Sequence, residues 1–195
     1  ALTGFELISQ PVLELVASHV PEQPQPLPGL GQPWYALLEA SSETPDGAGA
    51  ALLRLGQEAL ESGLLADAVI AHNLQQSAAF WRLRDEAIGL AQARDGGNVK
   101  HDISVQISRI PAFVAHTDAV LQREIPGVRL VNFGHLGDGN LHYNVQAPAE
   151  GDPKAFLREH EAHVNHLVYE AVAEFGGSFS AEHGIGELKA DKLAK

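Results

Sequence analysis

Residues 131–145, VNFGHLGDGNLHYNV, hold His135 and His142 on either side of a Gly-Asp-Gly-Asn segment. Imidazoles ligate divalent metals and move protons near neutral pH. A two-residue turn at Asp138-Gly139, an Asp-Gly pair favoured in type I′ hairpins, sets His135 directly opposite His142. Opposed residues on an antiparallel pair have Cβ atoms about 5 Å apart on one face. Two such rings reach one ion at bonds of roughly 2.0–2.1 Å. Asn144 follows His142 by two and shares its face, whereas Leu136, Leu141 and Tyr143 turn to the other. The competing reading is a surface hairpin with two incidental histidines, since two ligands are too few for a site.

Residues 180–186, SAEHGIG, offer the missing donors. On an extended strand Glu182 and His183 point to opposite faces, and Gly184 and Gly186 permit a bend or a close approach to a ligand. Either side chain completes a His-His-carboxylate or three-histidine set with one open position, the arrangement of a catalytic zinc. The alternative is an exposed Glu-His pair at a strand end.

Further candidates are weaker when read alone. Arg84 lies three residues after Trp81 and four before Ile88, on one helical stripe between apolar neighbours. It either snorkels to solvent or faces a polar pocket. Lys100, beside His101 and Asp102, also fits an exposed strand-end lysine. His160, His163 and His166 step by three, which carries the last about 120° from the first. They form a solvated face opposite the stripe Leu157, Val164, Val168, Ala171 and Phe175. His19, His72 and His116 show no partner pattern.

Strands are expected at 4–9, 34–42, 67–73, 99–107 and 178–186, and a hairpin at 128–146. Helices are expected at 11–20, 47–65, 74–94, 108–126 and 152–177. Ser108 is the expected cap of the fourth helix; Asp152 and Pro153 start the fifth and Gly176-Gly177 stop it. Five prolines in 21–33 demand a loop. Interleaved strands and helices with hairpins predict an α+β fold, ferredoxin-like, with an antiparallel or mixed sheet and helices packed on one face.

The totals narrow the function. The 195 residues, 45% hydrophobic, suit one domain with a real core. Thirteen basic against 25 acidic side chains give a net charge of −12, so no basic face exists to neutralise nucleic acid. An anionic small substrate would need a local cationic pocket. Zero cysteines exclude disulfides and Cys-based zinc sites and favour a reducing compartment, with the cytoplasm as the expected location. No apolar run approaches the roughly 18 residues of a membrane span. The absence of methionine, even at residue 1, predicts a piece of a longer polypeptide.

GHLGDGNLHYNV, followed about forty residues later by SAEHGIGELKADKL, with WRLRDE and VKHDISV upstream, resembles the C-terminal domain of FAD-linked oxidases. That family includes D-2-hydroxyglutarate dehydrogenase, D-lactate dehydrogenases and the glycolate oxidase flavin subunit. The resemblance covers nearly the whole chain, and the two long motifs are highly specific together. It implies that His135, His142 and Glu182 hold a divalent metal, zinc above all. His183 would be the base that takes the hydroxyl proton, Asn144 would contact substrate, and Arg84 and Lys100 would bind its carboxylate. On that role Arg84→Ala is expected to raise KM far more than it disturbs folding. The implied reaction is flavin-dependent oxidation of a small D-2-hydroxy acid, with FAD bound mainly by a domain outside this chain and electrons leaving to an acceptor protein or quinone. Ile88 stands where D-2-hydroxyglutarate dehydrogenase has a substrate-contacting Thr, which removes one contact to a distal carboxylate. Two other readings stay open, a non-catalytic divalent-metal-binding module and a metal-dependent hydrolase, as does a homodimer.

Overall fold

The computed structural model describes residues 1–27, 29 and 31–181. The chain falls into two units, Ala1–Asp95 and Gly96–Lys195, each mixing helices with antiparallel strands. The architecture is α+β, as the interleaved pattern predicts.

In the first unit β1 (Leu2–Ser9) pairs antiparallel with β2 (Trp34–Ala40), from Ser9 against Trp34 to Leu2 against Ala40. Between them, α1 (Gln10–His19) carries Pro11 near its start, where a missing N–H costs nothing, and buries Val12, Leu15 and Val16. Next come α2 (Gly47–Glu61) and α3 (Leu74–Arg82). Residues 67–73 form no strand; most are exposed, and Asn73 instead caps α3 by accepting from the Gln76 N–H at 2.9 Å. The long helix expected over 74–94 is interrupted by one π turn, Leu83–Ala87, before α4 (Ile88–Asp95) packs on α1.

In the second unit the order is β3 (Asn98–Ser104), α5 (Ile110–Glu124), β4 (Arg129–His135), β5 (Asn140–Gln146) and α6 (Pro153–Glu174). β5 lies between β3 and β4 and is antiparallel to both. Ser178 bridges Ser104 through two backbone bonds of 2.8 and 2.9 Å, opening a fourth position beside β3. This is the ferredoxin-like split β-α-β arrangement.

Leu141, Tyr143 and Val145 are each 0% exposed on one face of β5, with Val99, His101 and Ile103 beside them on β3. Phe113 of α5 meets Tyr143 edge-on at 5.8 Å, and Tyr169 of α6 meets His101 at 5.4 Å, so helices cover that face. Asp152 caps α6 by accepting from the Lys154 N–H at 3.0 Å. Ser108 does not cap α5: it lies in a 3-10 turn, Ile107–Arg109, and the cap residue is Arg109. His163 and His166 are exposed as expected, whereas His160 is half-buried with its ring 5.5 Å from Phe156. Among the described residues no helix is long and apolar enough to cross a membrane.

Candidate functional site

The face of the second unit opposite its helices is built on a polar ladder. Four cross-strand pairs between β3 and β5 are Asn98–Gln146, Lys100–Asn144, Asp102–His142 and Ser104–Asn140. All eight side chains are polar and follow from the period of two. On the other flank β4 brings Val131 against Asn144 and Phe133 against His142, with His135 two residues further along the same face.

The hairpin register differs from the one expected. Phe133, not His135, opposes His142, and their rings lie 4.9 Å apart. The connection is four residues long, 136–139, rather than an Asp138-Gly139 pair. Asp138 Oδ1 accepts from the Asn140 N–H at 3.0 Å, while Gly139 takes φ +79° and its carbonyl accepts from the Val105 N–H at 3.0 Å. A Cβ on Gly139 would stand 2.3 Å from the Val105 oxygen. The long-range bond to Val105 and the Asx bond together hold the wider turn. Because the slip is two residues, both histidines keep their face. Their ring centroids are 5.9 Å apart at 74°.

Two imidazoles at this separation suit a shared divalent ion, since imidazole is a preferred ligand and the rings are inclined rather than stacked. No group of three His, Cys, Asp or Glu able to hold a metal occurs among the described residues. Glu182 and His183 lie outside the described residues. Of the remaining predicted site residues, Asn144 is 3% exposed and directly opposes Lys100, which is exposed. A cation beside a buried amide has the chemistry to hold a carboxylate, with charge from one and directional hydrogen bonding from the other.

Arg84 belongs to the first unit, within the π turn. It is buried, and its Nε donates to Glu6 Oε2 at 2.7 Å with both side chains under a tenth exposed. Two residues before Glu6, Gly4 leaves room for Trp81: a Cβ there would be 3.0 Å from the indole. Trp81 and Arg84 thus run along alternate residues of β1. The Glu6 pairing gives Arg84 a structural part inside the first unit, because breaking a buried ion pair is costly.

Behind the ladder, on the helix-covered face, the Tyr143 hydroxyl donates to Asp118 Oδ1 of α5 at 2.5 Å. Burial pushes the Asp118 carboxyl up, against hydrogen bonds from Tyr143 and Asn132 that pull it down. Burial likewise raises the Tyr143 phenol well above its ordinary value, with the nearby Asp118 charge adding to it. His101 Nδ1 lies 2.8 Å from the Tyr143 carbonyl.

Asp102 and Asn140 were not among the residues that sequence motifs singled out. Asn140 Nδ2 donates to Asp102 Oδ1 at 2.9 Å, and the two are 1% and 8% exposed. Their signal was the alternation itself: polar residues at 98, 100, 102 and 104 and at 140, 142, 144 and 146.

The whole chain, residues 1–195, matches the family model described as FAD linked oxidases, C-terminal domain. It is 37% identical over 195 residues to a D-2-hydroxyglutarate dehydrogenase of Stutzerimonas stutzeri, covering 98% of this chain and 40% of that protein. It is 38% identical over 194 residues to a D-2-hydroxyglutarate dehydrogenase of Xanthomonas citri, with 98% and 39% covered. A mitochondrial D-2-hydroxyglutarate dehydrogenase of Rattus norvegicus is 34% identical over 192 residues, with 98% and 34% covered. The chain therefore spans between a third and two-fifths of the length of these relatives.

Proposed function

Since this chain belongs to the family of FAD linked oxidases, C-terminal domain, we propose that it is the substrate- and metal-binding part of a flavin-dependent dehydrogenase that oxidises a small D-2-hydroxy acid to the 2-oxo acid. The observation that carries the reading is the pair of imidazoles, 5.9 Å apart, on the same sheet face as the Lys100–Asn144 rung. Relatives named D-2-hydroxyglutarate dehydrogenase support the substrate class.

A bound flavin would supply the two-electron acceptor, and a divalent ion, zinc above all, would supply Lewis acidity. His135 and His142, with Glu182, are the residues that would hold the ion. Lys100 contributes positive charge for the substrate carboxylate, and Asn144 supplies a buried amide that fixes its orientation. His183 takes the hydroxyl proton as general base. For Arg84, whose Nε donates to Glu6, the family resemblance alone supports a part in binding substrate carboxylate. Ile88, 0% exposed, adds no donor for a second carboxylate. The acceptor of the electrons is a protein or a quinone, the compartment is the cytoplasm, and the chain by itself is inactive.

The test is a screen of the full-length flavoprotein with D-lactate, glycolate and D-2-hydroxyglutarate, with and without a chelator. At least one acid is expected to bleach the flavin absorbance, and chelation to suppress the bleaching. A flavin untouched by all three acids overturns the reading.

A further inference from the structure

His142 meets different chemistry on its two flanks. Toward β4 its ring lies 4.9 Å from Phe133 and 5.9 Å from His135. Phe133 offers an apolar wall and no oxygen or nitrogen. Toward β3 the residue directly opposite is Asp102. Opposed residues on an antiparallel pair have Cβ atoms about 5 Å apart on one face, which lets a carboxylate reach an imidazole N–H. The other β3 side chains of that face stand one rung off, Lys100 on one side and Ser104 on the other. Lys100 can only donate.

Asp102 is a carboxylate with 8% exposure. Asn140 Nδ2 donates to its Oδ1 at 2.9 Å, and the Asn140 backbone N–H donates to Asp138 Oδ1 at 3.0 Å. The loop between the two histidines therefore grips the Asp102 side chain through Asn140. The amide brings no charge, and a buried carboxylate is stabilised by positive charge close to it. An imidazole that ligates a divalent ion supplies this, since the ion polarises the remaining ring N–H.

We propose that Asp102 is a positioning residue for the metal ligand His142: its carboxylate accepts the N–H of the ring nitrogen that does not ligate. The bond fixes the tautomer and the orientation of the ring, and Asn140 fixes the carboxylate in turn. This rests on the metal centre proposed above and adds to it the residue that prepares one of its ligands. Metal-ligating histidines commonly donate their second N–H to a carboxylate, and loss of that partner weakens metal binding about 10–100-fold.

The experiment uses the full-length flavoprotein, freed of metal by a chelator and dialysis. Zinc is then titrated in competition with a chromophoric chelator, and the site is identified as the one that His135→Ala abolishes. Asp102→Asn keeps an oxygen for the Asn140 amide and loses the acceptor for the imidazole. It is expected to raise the Kd for zinc about 10–100-fold while the metal-free protein melts close to wild type. Asp102→Ser, which keeps an oxygen for Asn140 but falls short of the ring, gives the same loss should the asparagine variant not fold. A merely structural carboxylate would lower the melting temperature of the metal-free protein and leave the zinc Kd of the folded variant intact. A wild-type Kd in a folded variant overturns the Asp102 assignment alone. A wild-type protein that takes up no zinc at this site overturns the metal centre beneath it.

Discussion

Arg84 and Glu6, 78 residues apart in the chain, meet at 2.7 Å in the interior of the first unit, one from a π turn and the other from the opening strand. A single π turn within a helix re-aims the side chains it carries and is frequent at functional sites. Here it carries a charge that is buried together with its partner. Removing one member of such a pair is costly, whereas replacing both with apolar groups of similar volume is often neutral.

Arg84→Ala is accordingly expected to cost about 3–5 kcal/mol in chemical unfolding. The double variant Arg84→Met with Glu6→Leu should recover most of that loss. If the single variant unfolds at the wild-type denaturant midpoint, the pair carries no structural weight.

Asp118 predicts a pH dependence with a defined sign. Its folded-state pKa is raised by burial, so between the ordinary carboxylate value and the folded one the native state holds more protons than the unfolded state. Asp118 therefore makes stability fall as pH rises through that window. Asp118→Asn keeps an acceptor for the Tyr143 hydroxyl and removes the titration. Unfolding midpoints measured from pH 3 to 7 should decline less steeply in the variant; parallel curves would contradict the assignment.

Gly139 is bound to its turn twice over, by a positive φ and by the Val105 carbonyl 2.3 Å from where a Cβ would be. Gly139→Ala should lower stability by about 1–3 kcal/mol or more and disturb the spacing of His135 and His142. Thermal melting reads the first effect. The histidine ring resonances read the second, and shifts confined to residue 139 would show that the turn does not set the rings.

His135→Ala and His142→Ala, made singly in the full-length protein, should each reduce bound divalent metal toward zero by elemental analysis after dialysis. Glu182→Ala should do the same. Metal content equal to wild type in both histidine variants would remove the proposed centre from this face.

Much of the fold was legible because it follows from local rules. The period of two sorts 141, 143 and 145 inward and 142, 144 and 146 to the polar face, and Asp152-Pro153 starts α6 without reference to any distant residue. The same parity protected the histidine reading: a register error of two residues leaves every side chain on its own face. Residues 67–73 misled because an apolar run is compatible with a strand only if a neighbouring strand pairs with it, and none does in the described structure.

By itself the sequence determined which side chains share a face, that a hairpin joins β4 to β5, and the family to which its two long motifs belong. Tertiary structure alone decided that Phe133 rather than His135 opposes His142, that Arg84 is held by Glu6, and that Asp102 turns Asn140. The reason is physical: faces follow from the geometry of a single strand or helix, whereas register and ion pairing are settled by the Gly139–Val105 bond and by burial that joins residues distant in the chain.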